Sequence, residues 1–265
     1  MNLHTMLKRN PVASFIIITL LLSFALMLFP VPPEAAFMTI ASVLVFIPTI
    51  IALALVAIIE GRRGTGLFLR QTFGWRAPLK WYLIALAIGL LIHFGSSVLA
   101  LVTGRISAIE IVTPAASLFA IFPFALLEEI GWRGFALRRL LDQYSPFVST
   151  IIVGIPWALL HITLFVLFVP DISSPIAEGL IVFAFAFPLT WIYVKSERNL
   201  LVATVLHGAM NAFGFVAANI PPAEILWFVL ASGSFLVTVF LILNWRMWFA
   251  HPANVKADRA IPSVA

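Results

Sequence analysis

The stretch Leu126-Leu127-Glu128-Glu129-Ile130-Gly131-Trp132-Arg133-Gly134-Phe135 decides how this chain is read. Two adjacent carboxylates and a guanidinium stand inside an apolar run, with residues 115–127 before them and 135–141 after. An ionisable side chain inside a membrane span costs roughly 2.5–3.5 kcal/mol on insertion scales, so such residues mark function by default. Two questions follow: whether this stretch lies in a membrane, and which other polar residues meet it there.

Composition answers the first. The chain of 265 residues is 62% hydrophobic and 10% charged, and its mean hydropathy is +1.10. Soluble domains are about 45–50% apolar and about 25% charged. The fold class expected is therefore all-α: a polytopic membrane protein built as one helical domain. The absence of cysteine removes disulfides, thiolate metal sites and cysteine nucleophiles together.

Apolar segments near the ~20 residues needed to span a bilayer occur at 12–29, 35–59, 81–102, 115–141, 147–169, 176–194, 200–218 and 225–248. Eight spans place both termini on one side, together with the connections 60–80, 138–146 and 195–199. Nearly all lysines and arginines then share that side, only Arg105 lies opposite, and Glu34, Glu110, Asp171 and Glu224 lie opposite with it. Under the positive-inside rule this puts both termini in the cytoplasm. The net charge of +5 is thereby assigned to topology and lipid headgroups, not nucleic acid. The expected organisation is a cytoplasmic N-terminus (1–11), a transmembrane domain (12–248) and a mobile cytoplasmic tail (249–265). The interval 60–80 mixes arginines with Phe73 and Trp75, and Trp81 and Tyr82 follow directly, which suits an interfacial segment.

Polar residues near the middle of other spans answer the second question. They are His161 in the fifth, His207 and Asn211 in the seventh, and His93 in the third. At ~1.5 Å per residue, Glu128, His161 and the His207–Asn211 pair fall at similar depth. Glu129 and Arg133 are i and i+4, as are Trp157 and His161, and His207 and Asn211, so each pair shares a helix face. Arg133 is expected to neutralise Glu129, leaving Glu128 for another partner. Gly131 and Gly134 admit a close neighbouring backbone, and Pro123 and Pro156 are placed to kink their helices. A lone intramembrane histidine often only bonds an adjacent helix, and that is the reading for His93; Glu178 is read as interfacial. A carboxylate with two imidazoles is unlike ordinary intramembrane polar glue, which is Ser, Thr or Asn.

Such a set activates water, and two versions stay open. Glu128 acts as general base with His161 orienting the water, while His207 and Asn211 stabilise an oxyanion. Alternatively Glu128, His161 and His207 hold Zn²⁺ as a His₂Glu set. Neither an HExxH helix nor a Ser-His-Asp pattern is present. Base catalysis predicts activity that falls on acidification.

Glu-Glu-x-x-x-Arg at 128–133, aromatic-x-x-x-His at 157–161 and His-x-x-x-Asn at 207–211 resemble, in order and spacing, the motifs of the CAAX protease and bacteriocin-processing (Abi) family of intramembrane endopeptidases. The motif-bearing core is about 115–215. The resemblance implies that Glu128 and His161 activate the water and that His207 with Asn211 forms the oxyanion site. Glu129 and Arg133 complete the first motif in supporting roles. Trp157 stands where the family usually has Phe, and walls the site. The resemblance further implies hydrolysis of a membrane-associated or prenyl- or lipid-linked peptide, by a multi-pass protein of a prokaryotic plasma (inner) membrane. The competing readings are a non-catalytic bacteriocin-immunity or scaffold protein and a proton-coupled transporter; the lack of internal repeats argues against the latter.

Overall fold

A computed structural model describes residues 3–30, 32–74, 76–109, 115–168, 175–212 and 222–250. The described elements are helical. In chain order they are α1 (Leu3–Arg9), α2 (Pro11–Met27), α3 (Pro33–Leu44), α4 (Phe46–Thr72), α5 (Leu79–Val102) and α6 (Ala115–Glu129). A π-helical segment (Ile130–Leu137) continues α6 and leads into α7 (Arg138–Leu140). Then come α8 (Pro146–Phe168), α9 (Pro175–Lys195), α10 (Leu200–Ala212), α11 (Pro222–Leu243) and α12 (Trp245–Trp248). Proline is the first residue of α2, α3, α8, α9 and α11, where its fixed φ suits the helix and its missing N–H costs nothing.

Five of these helices are long and apolar enough to cross a membrane: residues 37–72, 79–102, 146–168, 175–195 and 226–243. Leu28, Leu79, Val102, Phe235 and Leu243 are among many large apolar side chains facing outward. Water would penalise a continuous surface of that kind, and lipid does not. The protein is a multi-pass, all-α membrane protein.

The other expected spans take different forms. The first and seventh are shorter apolar helices within the described residues. The fourth is the charged run through α6, the π segment and α7. Residues 213–218 and the tail beyond 250 lie outside the described residues, and the count of eight and the placing of the termini rest on the charge pattern alone. The interval after Glu60 is not a loop, because α4 continues through it to Thr72. Gly61 breaks that helix with φ 67° and ψ −168°, a left-handed conformation open to glycine at little cost. Helices α6 and α8 run on as helix through Pro123 and Pro156.

Packing fixes the site from both sides. Helix α10 lies against α5 and α6, α4 against the π segment, and α8 against α9. Where α5 meets α10, a Cβ on Gly89 would lie 2.7 Å from Ala209 Cβ and 2.9 Å from the Ala209 carbonyl carbon. Where α4 meets the π segment, a Cβ on Gly131 would lie 2.5 Å from Pro48 Cβ and 2.6 Å from the Pro48 oxygen. Gly134 makes only ordinary contacts, with Leu200 at 3.5 Å, so the expected close approach occurs at Gly131 and not at Gly134. Because the obstacle at Gly131 is backbone, Gly131→Ala must push α4 away. A loss of about 3 kcal/mol, the upper end for overpacking, is expected, and thermal unfolding in detergent measures it.

Candidate active site

Every residue of the π segment is buried. Phe15 of α2 packs on Trp132 and Phe135, each at 5.3 Å between ring centroids, which clamps the segment from outside. A π turn closes i→i+5 bonds in place of i→i+4, and single π turns recur at functional sites. The sequence pattern anticipated helix over 115–141 and not this change of winding. Its α-helical part ends on the two glutamates, and the two point into different surroundings.

Glu129 is fully buried. Its Oε1 accepts a 2.7 Å bond from Arg133 Nη1 and a 2.8 Å bond from His207 Nδ1. Arg133 is also fully buried, and its guanidinium lies 4.3 Å from the centroid of the Trp157 ring. A desolvated cation over an indole face gains ~2 kcal/mol, so Arg133 is held between a carboxylate and a π face. The expected Glu129–Arg133 pairing is present, and His207 joins it.

Glu128 is half-buried and lines a small cavity of about 100 Å³. His161 and Trp157 of α8 line the same cavity, with Ser23 of α2 and Pro48 of α4. The remaining walls are mostly aliphatic. Trp157 Nε1 donates a 2.8 Å bond to Glu128 Oε2, leaving the other oxygen unengaged by that bond. The Trp157 ring also meets the His161 ring edge-on at 5.5 Å and the His207 ring at 5.4 Å. One indole thus touches Glu128, His161, His207 and Arg133. Sequence reasoning gave it only the role of a wall; the indole N–H that a phenylalanine lacks was the signal available.

The two imidazoles are oriented alike. His161 Nδ1 lies 3.0 Å from the Trp157 carbonyl oxygen, and His207 Nδ1 faces the Glu129 carboxylate. Both partners accept, so each Nδ1 carries a hydrogen, and the neutral form of either ring would present its lone pair at Nε2. Metal-bound histidines are oriented in this manner, and that is the chemical part of the zinc reading. Its geometric part is not met. Among the described residues no three His, Asp or Glu side chains converge as metal ligands would, and His207 does not line the cavity of Glu128 and His161. The set Glu128, His161 and His207 as placed does not fit a three-ligand zinc centre.

Asn211 is exposed, one turn beyond His207 near the end of the described part of α10. His93 donates from Nε2 to the Met210 carbonyl, so it ties α5 to α10 as a lone intramembrane histidine commonly does. Two residues were missed because the first helices carry no motif. Thr49 of α4 donates to the Leu127 carbonyl, beside Glu128, and Ser23 reaches the cavity wall from α2. Pro48 and Thr49, adjacent within a mostly apolar run, were the visible hint that α4 has a special neighbour.

Residues 110–213 match the family model described as Type II CAAX prenyl endopeptidase Rce1-like. That segment carries all three motifs, and over it the chain is similar to that family. It is similar to the "CAAX prenyl protease 2" of Methanococcus maripaludis, at 33% identity over 104 residues, 36% of this chain and 38% of that protein. The chain therefore aligns with well under half the length of that curated relative.

Proposed function

We propose that this protein is an intramembrane endopeptidase that hydrolyses a peptide bond of a membrane-associated, lipid-linked peptide in a prokaryotic inner membrane. The observation that carries the reading is the meeting of Glu128 and His161, from α6 and α8, on one largely apolar cavity. At about 100 Å³ the cavity has room for water. A water between the Glu128 carboxylate and His161 Nε2 gives up a proton to this pair as its oxygen attacks the peptide carbonyl carbon. The same proton is returned to the leaving nitrogen as the C–N bond breaks. The oxyanion formed in between needs donors. The Asn211 amide has two, whereas His207 can donate from Nε2 only as the imidazolium, whose charge would lie beside Glu129. This assigns Glu129 and Arg133 to holding His207, and Glu128 to the water.

The test is a survey of peptide termini in membranes from cells carrying either the native chain or Glu128→Gln at matched levels. New termini confined to the native chain establish proteolysis and identify the substrate. Identical termini in both overturn the reading and leave the immunity or scaffold role. A finer prediction concerns Trp157. Trp157→Phe keeps an aromatic wall, removes the N–H that fixes Glu128 Oε2, and weakens the ring face offered to Arg133. A bond to a charged group contributes roughly 1.5–3 kcal/mol, so turnover should fall by about tenfold or more with KM little changed. Turnover equal to the native enzyme's would remove Trp157 from the positioning of Glu128.

A further inference from the structure

The longer basic connections do not merely share one side of the molecule. The α4–α5 and α9–α10 connections, with Arg138 at the start of α7, line a polar cleft of about 640 Å³. Arg76, Lys80, Arg138, Lys195 and Arg198 line it, with Glu197 as the one carboxylate. Arg198 is engaged by Asp142 at 2.9 Å. The other four cations form no ion pair with a carboxylate among the described residues, so four like charges converge against a single acid.

The cleft is built, not incidental. Asn199 Nδ2 donates a 2.8 Å bond to the Gly74 carbonyl, and Asn199 Oδ1 accepts from Val202 N–H at 3.1 Å. One side chain therefore clamps the two connections together and caps α10. Glu197 and Arg198 both have left-handed backbone, φ 59° and 63°. For residues with a Cβ this conformation costs ~1 kcal/mol or more each, and strain of this sort collects at clamps and switch regions. Lys80 sits 5.3 Å from the centroid of the Trp81 ring, and tryptophan belongs to the headgroup belt of a membrane protein. The ends of α4 and α9 and the starts of α5 and α10 all meet here, so the cleft lies at a margin of the apolar spans.

We propose that this cleft is a binding site for a phosphate-bearing anion, separate from the Glu128 cavity. At headgroup depth the chemistry fits an acidic phospholipid, and a free phosphate would be recognised by the same cations. This proposal does not rest on proteolysis, and its test does not read it.

The experiment compares purified protein in nanodiscs of phosphatidylglycerol, in nanodiscs of phosphatidylcholine, and in the latter with millimolar inorganic phosphate. Native mass spectrometry counts retained lipid, and thermal unfolding reports occupancy. The native chain should retain phosphatidylglycerol selectively and unfold at higher temperature with it. Arg76→Gln/Lys80→Gln, two exposed residues, should weaken retention roughly fivefold for each cation removed, in line with ~1 kcal/mol per basic residue at an anionic surface. Arg62→Gln/Arg63→Gln removes the same charge from exposed positions outside the cleft and should leave retention unchanged. Stabilisation by inorganic phosphate alone, lost in the cleft variant, would assign the site to free phosphate. Equal retention of both lipids with no response to phosphate, or equal losses in the two double variants, overturns the proposal and returns these cations to general topology charge.

Discussion

Glu128→Gln is expected to lower peptide hydrolysis by about 10²–10⁴-fold, the range a positioned general base contributes, while thermal unfolding stays near that of the native chain. The two halves of this expectation come from one geometry. Glutamine is isosteric and still accepts from Trp157 Nε1, so the bond that fixes the side chain survives. Glu128 is half-buried on a cavity wall and forms no ion pair among the described residues, so no buried cation is stranded by its loss. What disappears is the ability to take a proton from water. His161→Gln should cost a comparable factor, and the double variant little more than either single one, because groups that act on one water act as a unit. Losses that multiply would mean that the two residues act on separate steps. A native-like rate in Glu128→Gln would end the assignment of Glu128 as base.

Much of this arrangement is legible in the chain, and the limit falls at a definite physical place. Membrane residence follows from composition, and the pairing of Glu129 with Arg133 follows from i,i+4 spacing along one helix. Both are local properties. The spacing also separates Glu128 from Glu129 by about 100° around the helix, which predicts different surroundings for the two but not which group meets which. That His207 joins Glu129 depends on how α10 is rotated about its axis. The rotation is fixed by contacts between distant residues, Gly89 against Ala209 and Gly208 against Phe122. The two histidines were therefore read as facing one shared cavity, whereas the fold sends His161 to Glu128 and His207 to Glu129. Nor does the sequence announce the π winding or the part played by α2 and α4, since an apolar helix with a serine, a proline and a threonine reads the same whether it lines a cavity or faces lipid.

The second large effect belongs to Glu129, where loss of stability should precede any loss of chemistry. Glu129→Ala removes the ion-pair partner of a fully buried guanidinium. Breaking one half of a buried pair strands the other charge and costs about 3–5 kcal/mol. Part of the Arg133 charge remains stabilised by the Trp157 face, which argues for the lower end of that range. Replacing both partners, as in Glu129→Leu/Arg133→Met, removes the stranded charge, and stability should return close to native because an apolar pair of similar volume often matches a buried ion pair. Activity then separates two roles. If Glu129 serves only to neutralise Arg133, the stable double variant should also hydrolyse normally. If it fixes His207 through the 2.8 Å bond to Nδ1, the double variant should fold and still be slow, with the loss in kcat and not in KM. The second outcome is expected, because His207 Nδ1 has no other acceptor among the described residues to set its ring. A stable, fully active double variant would reduce Glu129, Arg133 and His207 to a structural contact between α6, the π segment and α10.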